Sequence, residues 1–261
     1  MKLGLIGKSL GHSASRTIHR HFFEITGRQG SYELFEIENE KRLAHHLMMF
    51  EKAGFAGINV TIPYKQAVMP LLDNVGEEAQ KIGAVNTIRY GDGIRTGHNT
   101  DYFGFIKTLG KEGMEAKGKK WLVLGYGGAA RSVIAALKDL GGEVVCASTR
   151  ARGEGFIGYD RLSEVSDAEG VVNTTPVGMF PDIHRSVVGE EVFTNCRYAV
   201  DLVYNPLETL FMQTAKACGA RTVNGLYMLV AQAVKAQEIW NSQAMEDSLI
   251  DAIYLRMQEK P

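Results

Sequence analysis

Cysteine is scarce in this chain. The three present, Cys146, Cys196 and Cys218, are odd in number and widely spaced among 261 residues, which excludes a disulfide framework and fits a reducing compartment. All three fall in segments that read as buried strand or helix, and no metal-ligand spacing occurs; no metal is expected. No apolar run is long enough to span a bilayer. The opening "MKLGLIGKSLGHS" turns polar too soon for a signal peptide, so a cytoplasmic location is expected. Net charge is nearly absent as well, −1 from 29 basic and 30 acidic residues, which gives nucleic acid and anionic membranes no electrostatic footing. Disorder-forming tracts and solenoid-period repeats are also missing. What remains is a globular composition, 45% hydrophobic and 23% charged, with length enough for two moderate domains and a small molecule as the expected partner.

Strand and helix patterns alternate from the start. "KLGLIG" reads as a strand, "RTIHRHFFEITG" as a helix, "SYELFEI" as a strand and "EKRLAHHLMMFEKAG" as a helix ended by Gly54, which is βα packing. "GFAGINVTIP" is the next strand; Pro63 blocks direct helical continuation and "YKQAVMPLL" reads as a short helical piece beyond it. Then come "GAVNTIRY", "GIRTGHNT" and a helix from Asp101, followed by the Lys/Gly-rich "GKEGMEAKGKK" that leads into a second region. There, "KKWLVLGYGGAARSVIAALKDLGGEVVCAST" is strand, glycine turn, helix and strand. Further short strands follow, separated by helical stretches, and such spacing requires parallel crossovers. Two helix patterns close the chain.

The glycine turn carries chemistry. Gly125, Gly127 and Ala130 occupy G-x-G-x-x-G/A between strand and helix, so the backbone can approach a pyrophosphate, and the helix start near Gly128 and Ala129 offers free N–H groups at a positive dipole end. A tight turn needing glycine for geometry alone is the plainer alternative. NAD sites usually place an acid about 20 residues on; here Ser148, Thr149, Arg150, Ala151 and Arg152 stand instead. Guanidiniums and hydroxyls suit a 2′-phosphate, which points to NADP. A solvated basic loop would read the same way.

Between Ala53 and Leu72 the single formal charge is Lys65. Either its stem snorkels along an apolar surface, or it is set at a site to handle charge or protons. Its place just beyond a strand end favours the second, because ligands of open α/β sheets collect there. Asp101 is the only carboxylate between Asp92 and Glu112. Its plain role is a helix N-cap. If the strands leading to Lys65 and Asp101 are neighbours, the two can pair, and the lysine can then pass a proton to or from a substrate oxygen during hydride transfer in a cleft. Ser13 and Ser15, two apart and hence on one side if extended, suit a carboxylate, though capping the following helix is an equal use. His12 and His19 read equally as structural residues or as participants. Asn59 and Thr61 alternate with Val60 and Ile62, and Asn86 repeats the theme; polar groups on a buried face need partners, which substrate hydroxyls can supply.

Taken together and in order, "HSxS", "NVTIPYK", "GAVNTI", "NTDYFGF", "GYGGAARS", "VNTTPVGM", "DLVYNPLET" and "NGLYMLVAQA" resemble the shikimate dehydrogenase family over nearly the whole chain. The resemblance implies an α/β fold: an N-terminal substrate domain over 1–101, a Rossmann-like doubly wound parallel-sheet NADP domain over 102–225, and helices over 226–261 packing back on the first domain. It implies NADP-linked, reversible reduction of 3-dehydroshikimate to shikimate in aromatic amino-acid biosynthesis by a monomer or homodimer. In that reading Ser13 and Ser15 hold the ring carboxylate; Asn59, Thr61, Asn86 and Gln232 bind ring hydroxyls with Tyr204 nearby; Lys65 and Asp101 are the catalytic pair. Gly225 would lie near the nicotinamide. Tyr126 stands between the glycines where the family has a small residue, so its ring must turn away from the pyrophosphate or lie over it. The alternatives are a quinate/shikimate dehydrogenase with broader substrate or NAD use, and a noncatalytic NADP or metabolite sensor of the same fold.

Overall fold

A computed structural model describes residues 1–150 and 153–259. The fold is α/β with two six-stranded sheets, and the chain divides into two compact units, one of residues 1–104 and 229–261, the other of residues 105–228.

In the first unit, β1 (Lys2–Gly7), α1 (Ser15–Thr26), β2 (Ser31–Glu36), α2 (Leu43–Lys52) and β3 (Phe55–Val60) alternate, and β4 (Asn74–Val75), α3 (Glu77–Ile82), β5 (Thr87–Gly91) and β6 (Ile94–His98) follow. The sheet order is β2-β1-β3-β5-β6-β4. β1 lies parallel to both its neighbours, whereas β5 runs antiparallel to β3 and β6, because the short turn between β5 and β6 permits only a hairpin. Ile6, Ile58 and Ile88 pack with Leu43, Leu47 and Phe50 of α2. Leu3, Leu5 and Tyr32 pack with Ala236 and Trp240. Each fully buried aliphatic side chain contributes roughly 1.5–3 kcal/mol.

The second unit is all parallel: β7 (Lys120–Leu124), α5 (Gly128–Asp139), β8 (Glu143–Ala147), β9 (Phe156–Ile157), β10 (Gly170–Asn173), β11 (Tyr198–Asp201), α6 (Leu210–Ala217) and β12 (Arg221–Val223), ordered β12-β11-β10-β7-β8-β9. That order is the doubly wound Rossmann arrangement, with the strand sequence reversing between β7 and β10. β10 and the last four residues of β7 are buried throughout, as a strand covered on both faces requires. The unit boundaries fall inside two helices, α4 (Asp101–Lys111) and α7 (Leu226–Asn241), and α8 (Asp247–Gln258) ends the fold.

Several local expectations change. "YKQAVMPLL" forms turns and a 3-10 segment at Met69–Leu71, not an α-helix; Pro63 precedes it and Pro70 lies within it, and proline supplies no amide hydrogen. β3 stops at Val60, so the alternation expected through Ile62 fails and Ile62 is 62% exposed. Cys218 follows α6 and is exposed, although Cys146 and Cys196 are buried. Among the described residues, no helix is long and apolar enough to cross a membrane.

Candidate active site

Lys65 and Asp101 meet. The Lys65 ammonium lies 2.5 Å from Asp101 Oδ2, and both residues are buried, at 9% and 6% exposure. The strands leading to them are not neighbours, contrary to the simplest expectation: β5 lies between β3 and β6. The chain instead leaves β3 in a turn-rich excursion whose Lys65 carbonyl accepts the Val85 N–H at 2.7 Å, which brings the lysine beside the residues entering β5. Asp101 opens α4 yet is free of capping duty, since Asn99 Oδ1 accepts the first-turn N–H of Tyr102 at 3.2 Å. Its carboxylate therefore points to Lys65 with one oxygen and accepts from Asn86 Nδ2 with the other, at 2.9 Å. A carboxylate in a first helical turn is also favoured by the helix dipole.

A polar cluster surrounds the pair. Asn86 Oδ1 accepts the Thr100 N–H at 2.7 Å, and its Nδ2 reaches Thr100 Oγ1 at 2.9 Å. Gln232, on α7, accepts the Thr100 hydroxyl at 3.2 Å and donates to the Leu229 carbonyl. Asn59 donates to the Asn86 carbonyl and to Thr87 Oγ1, and accepts the Tyr32 hydroxyl at 2.7 Å. The amides of Asn59 and Asn86 are thus engaged within the unit, which the sequence did not foretell. Thr61 lies beyond the end of β3 with its methyl toward Gly7. Ser13 and Ser15 come together at 3.2 Å between hydroxyls, by a helical turn at Ala14 and not by strand alternation. His19 is structural: stacked 3.9 Å from Tyr32 and bonded to Gln237, it is neutral because burial pulls its pKa down to about 3.

The second unit offers different surfaces. Gly125, after β7, has φ +95°, and a Cβ there would come within 2.8 Å of Thr175, so only glycine fits the turn. A Cβ at Gly127 would meet nothing within 4 Å. α5 begins at Gly128, followed by Ala129, and its first amides are available to an anion. Tyr126 turns aside: its ring packs edge-on to Phe156, with Arg131 over it at 4.5 Å. Arg131, which no spacing in the sequence singles out, has its Nε buried without a hydrogen-bond partner. Open space at Gly127, free helix-start amides and that guanidinium fit a dinucleotide phosphate. Beyond β8, Ser148 is buried and accepts the Arg150 N–H, while Thr149 and Arg150 are exposed; Arg152 lies outside the described residues. Tyr204 follows β11 in this unit. A Cβ on Gly225 would sit 2.1 Å from the Leu202 carbonyl, so backbone approach alone already demands glycine there.

Asp201, at the end of β11, accepts from Thr209, Asn173 and the Val203 N–H. Burial pushes its pKa up to about 6. Burial likewise pushes the Cys146 and Cys196 thiols up to about 12, so neither is a thiolate nucleophile. Among the described residues no three His, Cys, Asp or Glu side chains gather as metal ligands.

Known proteins resemble the chain over nearly its whole length. Residues 5–88 match the family described as shikimate dehydrogenase substrate binding domain. A shikimate dehydrogenase (NADP(+)) of Clostridium perfringens is 43% identical over 267 residues, covering 97% of each chain. A crystal structure of a chorismate mutase/shikimate 5-dehydrogenase fusion protein from Clostridium acetobutylicum superposes with a TM-score of 0.92 at 42% identity, over 98% of this chain and 97% of that one. A shikimate 5-dehydrogenase of Thermus thermophilus, solved in complex with NADP(H) and shikimate, has a TM-score of 0.88 at 35% identity over 98% and 99%.

Proposed function

The chain belongs to the shikimate dehydrogenase family, and we propose that it reversibly reduces 3-dehydroshikimate to shikimate with NADP, a step of aromatic amino-acid biosynthesis. The observation that carries this reading is the buried Lys65–Asp101 pair at 2.5 Å, in the unit that holds the family's substrate-binding match. Residues 1–104 with 229–259 serve as the substrate-binding unit, and 105–228 as the NADP-binding unit.

Lys65 passes a proton to or from the substrate oxygen, a positioned acid–base step of the kind that contributes roughly 10²–10⁴ in rate. Asp101 holds the ammonium in place and offsets the cost of burying it. Ser13 and Ser15 take the ring carboxylate, and Asn59, Thr61, Asn86 and Gln232 take ring hydroxyls. NADP, when bound, supplies or accepts the hydride. Gly125, Gly127, Gly128 and Ala129 receive its pyrophosphate on the start of α5, and Ser148, Thr149, Arg150 and Arg152 its 2′-phosphate. Tyr204 and Gly225 keep the roles that the resemblance gives them. The chain works as a monomer or homodimer in the cytoplasm.

Absorbance at the nicotinamide band, with shikimate or quinate against NADP⁺ or NAD⁺, tests substrate and cofactor together. Shikimate with NADP⁺ is expected to be fastest of the four pairs; no reduction of NADP⁺ with shikimate would end the assignment.

A further inference from the structure

Resting on the function just given, we infer that Thr87 is a positioning residue of the reaction, the joint of a buried hydrogen-bond chain from Tyr32, beside Ser15, to the Lys65–Asp101 pair.

Two backbone anchors fix the polarity of that chain. The Thr100 N–H donates to Asn86 Oδ1, so the Asn86 amide nitrogen must face the other way, toward Asp101. Asn59 Nδ2 donates to the Asn86 carbonyl at 3.2 Å, so its oxygen must face Tyr32. Thr87 Oγ1 lies between them, 3.0 Å from Asn59 Nδ2 and 3.1 Å from Asn86 Oδ1. A hydroxyl has one hydrogen to give. Because Asn59 donates to Thr87, the Thr87 hydrogen is left for an acceptor, and Asn86 Oδ1 at 3.1 Å is nearer than Thr100 Oγ1 at 3.3 Å.

Every donor from Tyr32 onward then points the same way. Tyr32 donates to Asn59, Asn59 to Thr87, Thr87 to Asn86, and Asn86 to Asp101, the oxygen partner of Lys65. At the other end Ser15 lies close enough to the Tyr32 phenol to influence it, and Ser13 donates to Ser15 at 3.2 Å. Hydrogen bonds aligned in series in a dry interior polarise one another. Thr87 is fully buried and Tyr32 only 6% exposed, so water cannot replace a missing link. The serine end and the lysine end of the proposed site are therefore held in one register through a side chain that need not touch the substrate.

Thr87→Val keeps the shape and removes the hydroxyl. Its kcat for shikimate oxidation is expected to fall about tenfold, the scale of one buried hydrogen bond lost, with the Michaelis constant for NADP⁺ unchanged. Thr87→Ser restores kcat. Tyr32→Phe, which keeps the stacking on His19, raises the Michaelis constant for shikimate and lowers kcat less. Unchanged kcat in folded Thr87→Val would overturn the inference, as would Thr87→Ser being equally impaired, since the methyl and not the hydroxyl would then matter. Should Thr87→Val not fold, wild-type kinetics in Tyr32→Phe would overturn it instead. Activity in the parent chain separates the two readings: an inert parent removes the function and this role together, whereas an active parent with unaffected variants removes only the role of Thr87.

Discussion

The two proposed sites are built in opposite ways. In the first, the side chains that matter are buried and already bonded to one another: Lys65 to Asp101, Asp101 to Asn86, Asn59 to Thr87. In the second, the features that matter are backbone and space: a glycine turn with nothing beyond Gly127, a helix start at Gly128, and Thr149 and Arg150 exposed to solvent. A proton-handling group benefits from fixed neighbours, because preorganised partners need no rearrangement as charge develops. A phosphate site benefits from unsatisfied amides and solvent-facing cations that wait for the anion. The difference predicts that damage to the first unit appears in turnover and damage to the second in cofactor affinity.

The largest break in that contrast is Lys65→Ala. Turnover should fall about a thousandfold or more, while NADP(H) binding, followed by nucleotide fluorescence, stays near wild type. Circular dichroism checks that the variant is folded. Near-wild-type turnover would remove Lys65 from the chemistry, and lost nucleotide binding would erase the division of labour between the units. Arg150→Ala should do the reverse with a smaller effect. The Michaelis constant for NADP⁺ is expected to rise roughly tenfold to a hundredfold, the worth of one charge-assisted phosphate contact, and that for NAD⁺ to hold steady. Equal changes for both nucleotides would refute recognition of the 2′-phosphate by Arg150. Gly127→Val belongs beside it: its side chain would fill the space before α5, so both nucleotides should weaken together with little loss of melting temperature.

The same contrast explains what could be read from the residues alone. The glycine turn is legible because its requirements are local: strand, Gly125, Gly127, helix and strand follow within one stretch, and glycine spacing records where the backbone must bend. The lysine–carboxylate pair was legible through rarity of charge, although by the wrong geometry, since β5 separates the two strands. The capping role open to Asp101 falls in fact to Asn99, a choice that neighbouring residue types could not decide. The hydroxyl chain was not legible at all. Thr87 looks like any strand threonine, Thr100 like a helix cap, and Tyr32 bonds to a residue 27 positions away; such links come from sheet order, which only the folded chain supplies. The stretch after Pro63 misled for a related reason, because apolar spacing alone does not register the amide hydrogen that Pro70 lacks.

Acid titration gives the subtlest test, because each unit buries a group whose pKa is moved within the acid range and the two signs differ. His19 in the first unit has its pKa lowered from 6.5 to about 3. The folded form resists the proton, so its stabilising contribution is whole above about pH 6.5 and is lost as pH falls toward 3. Asp201 in the second unit has its pKa raised from 3.8 to about 6. There the folded form retains the proton, so the contribution is whole below about pH 4 and is lost as pH rises through 6. Each group tilts stability by about 1.4 kcal/mol per pH unit inside its window. The chain's two tryptophans allow the tilts to be read separately, since Trp240 packs 5.7 Å from His19 in the first unit and Trp121 lies in β7 of the second. Urea unfolding between pH 4 and 6, followed by Trp240 in a Trp121→Phe background, should gain stability as pH rises, and His19→Phe should flatten that slope. Followed by Trp121 in a Trp240→Phe background, it should show a contribution of the opposite sign that Asp201→Asn abolishes. If His19→Phe and Asp201→Asn change neither slope, burial is not what sets these two protonation states.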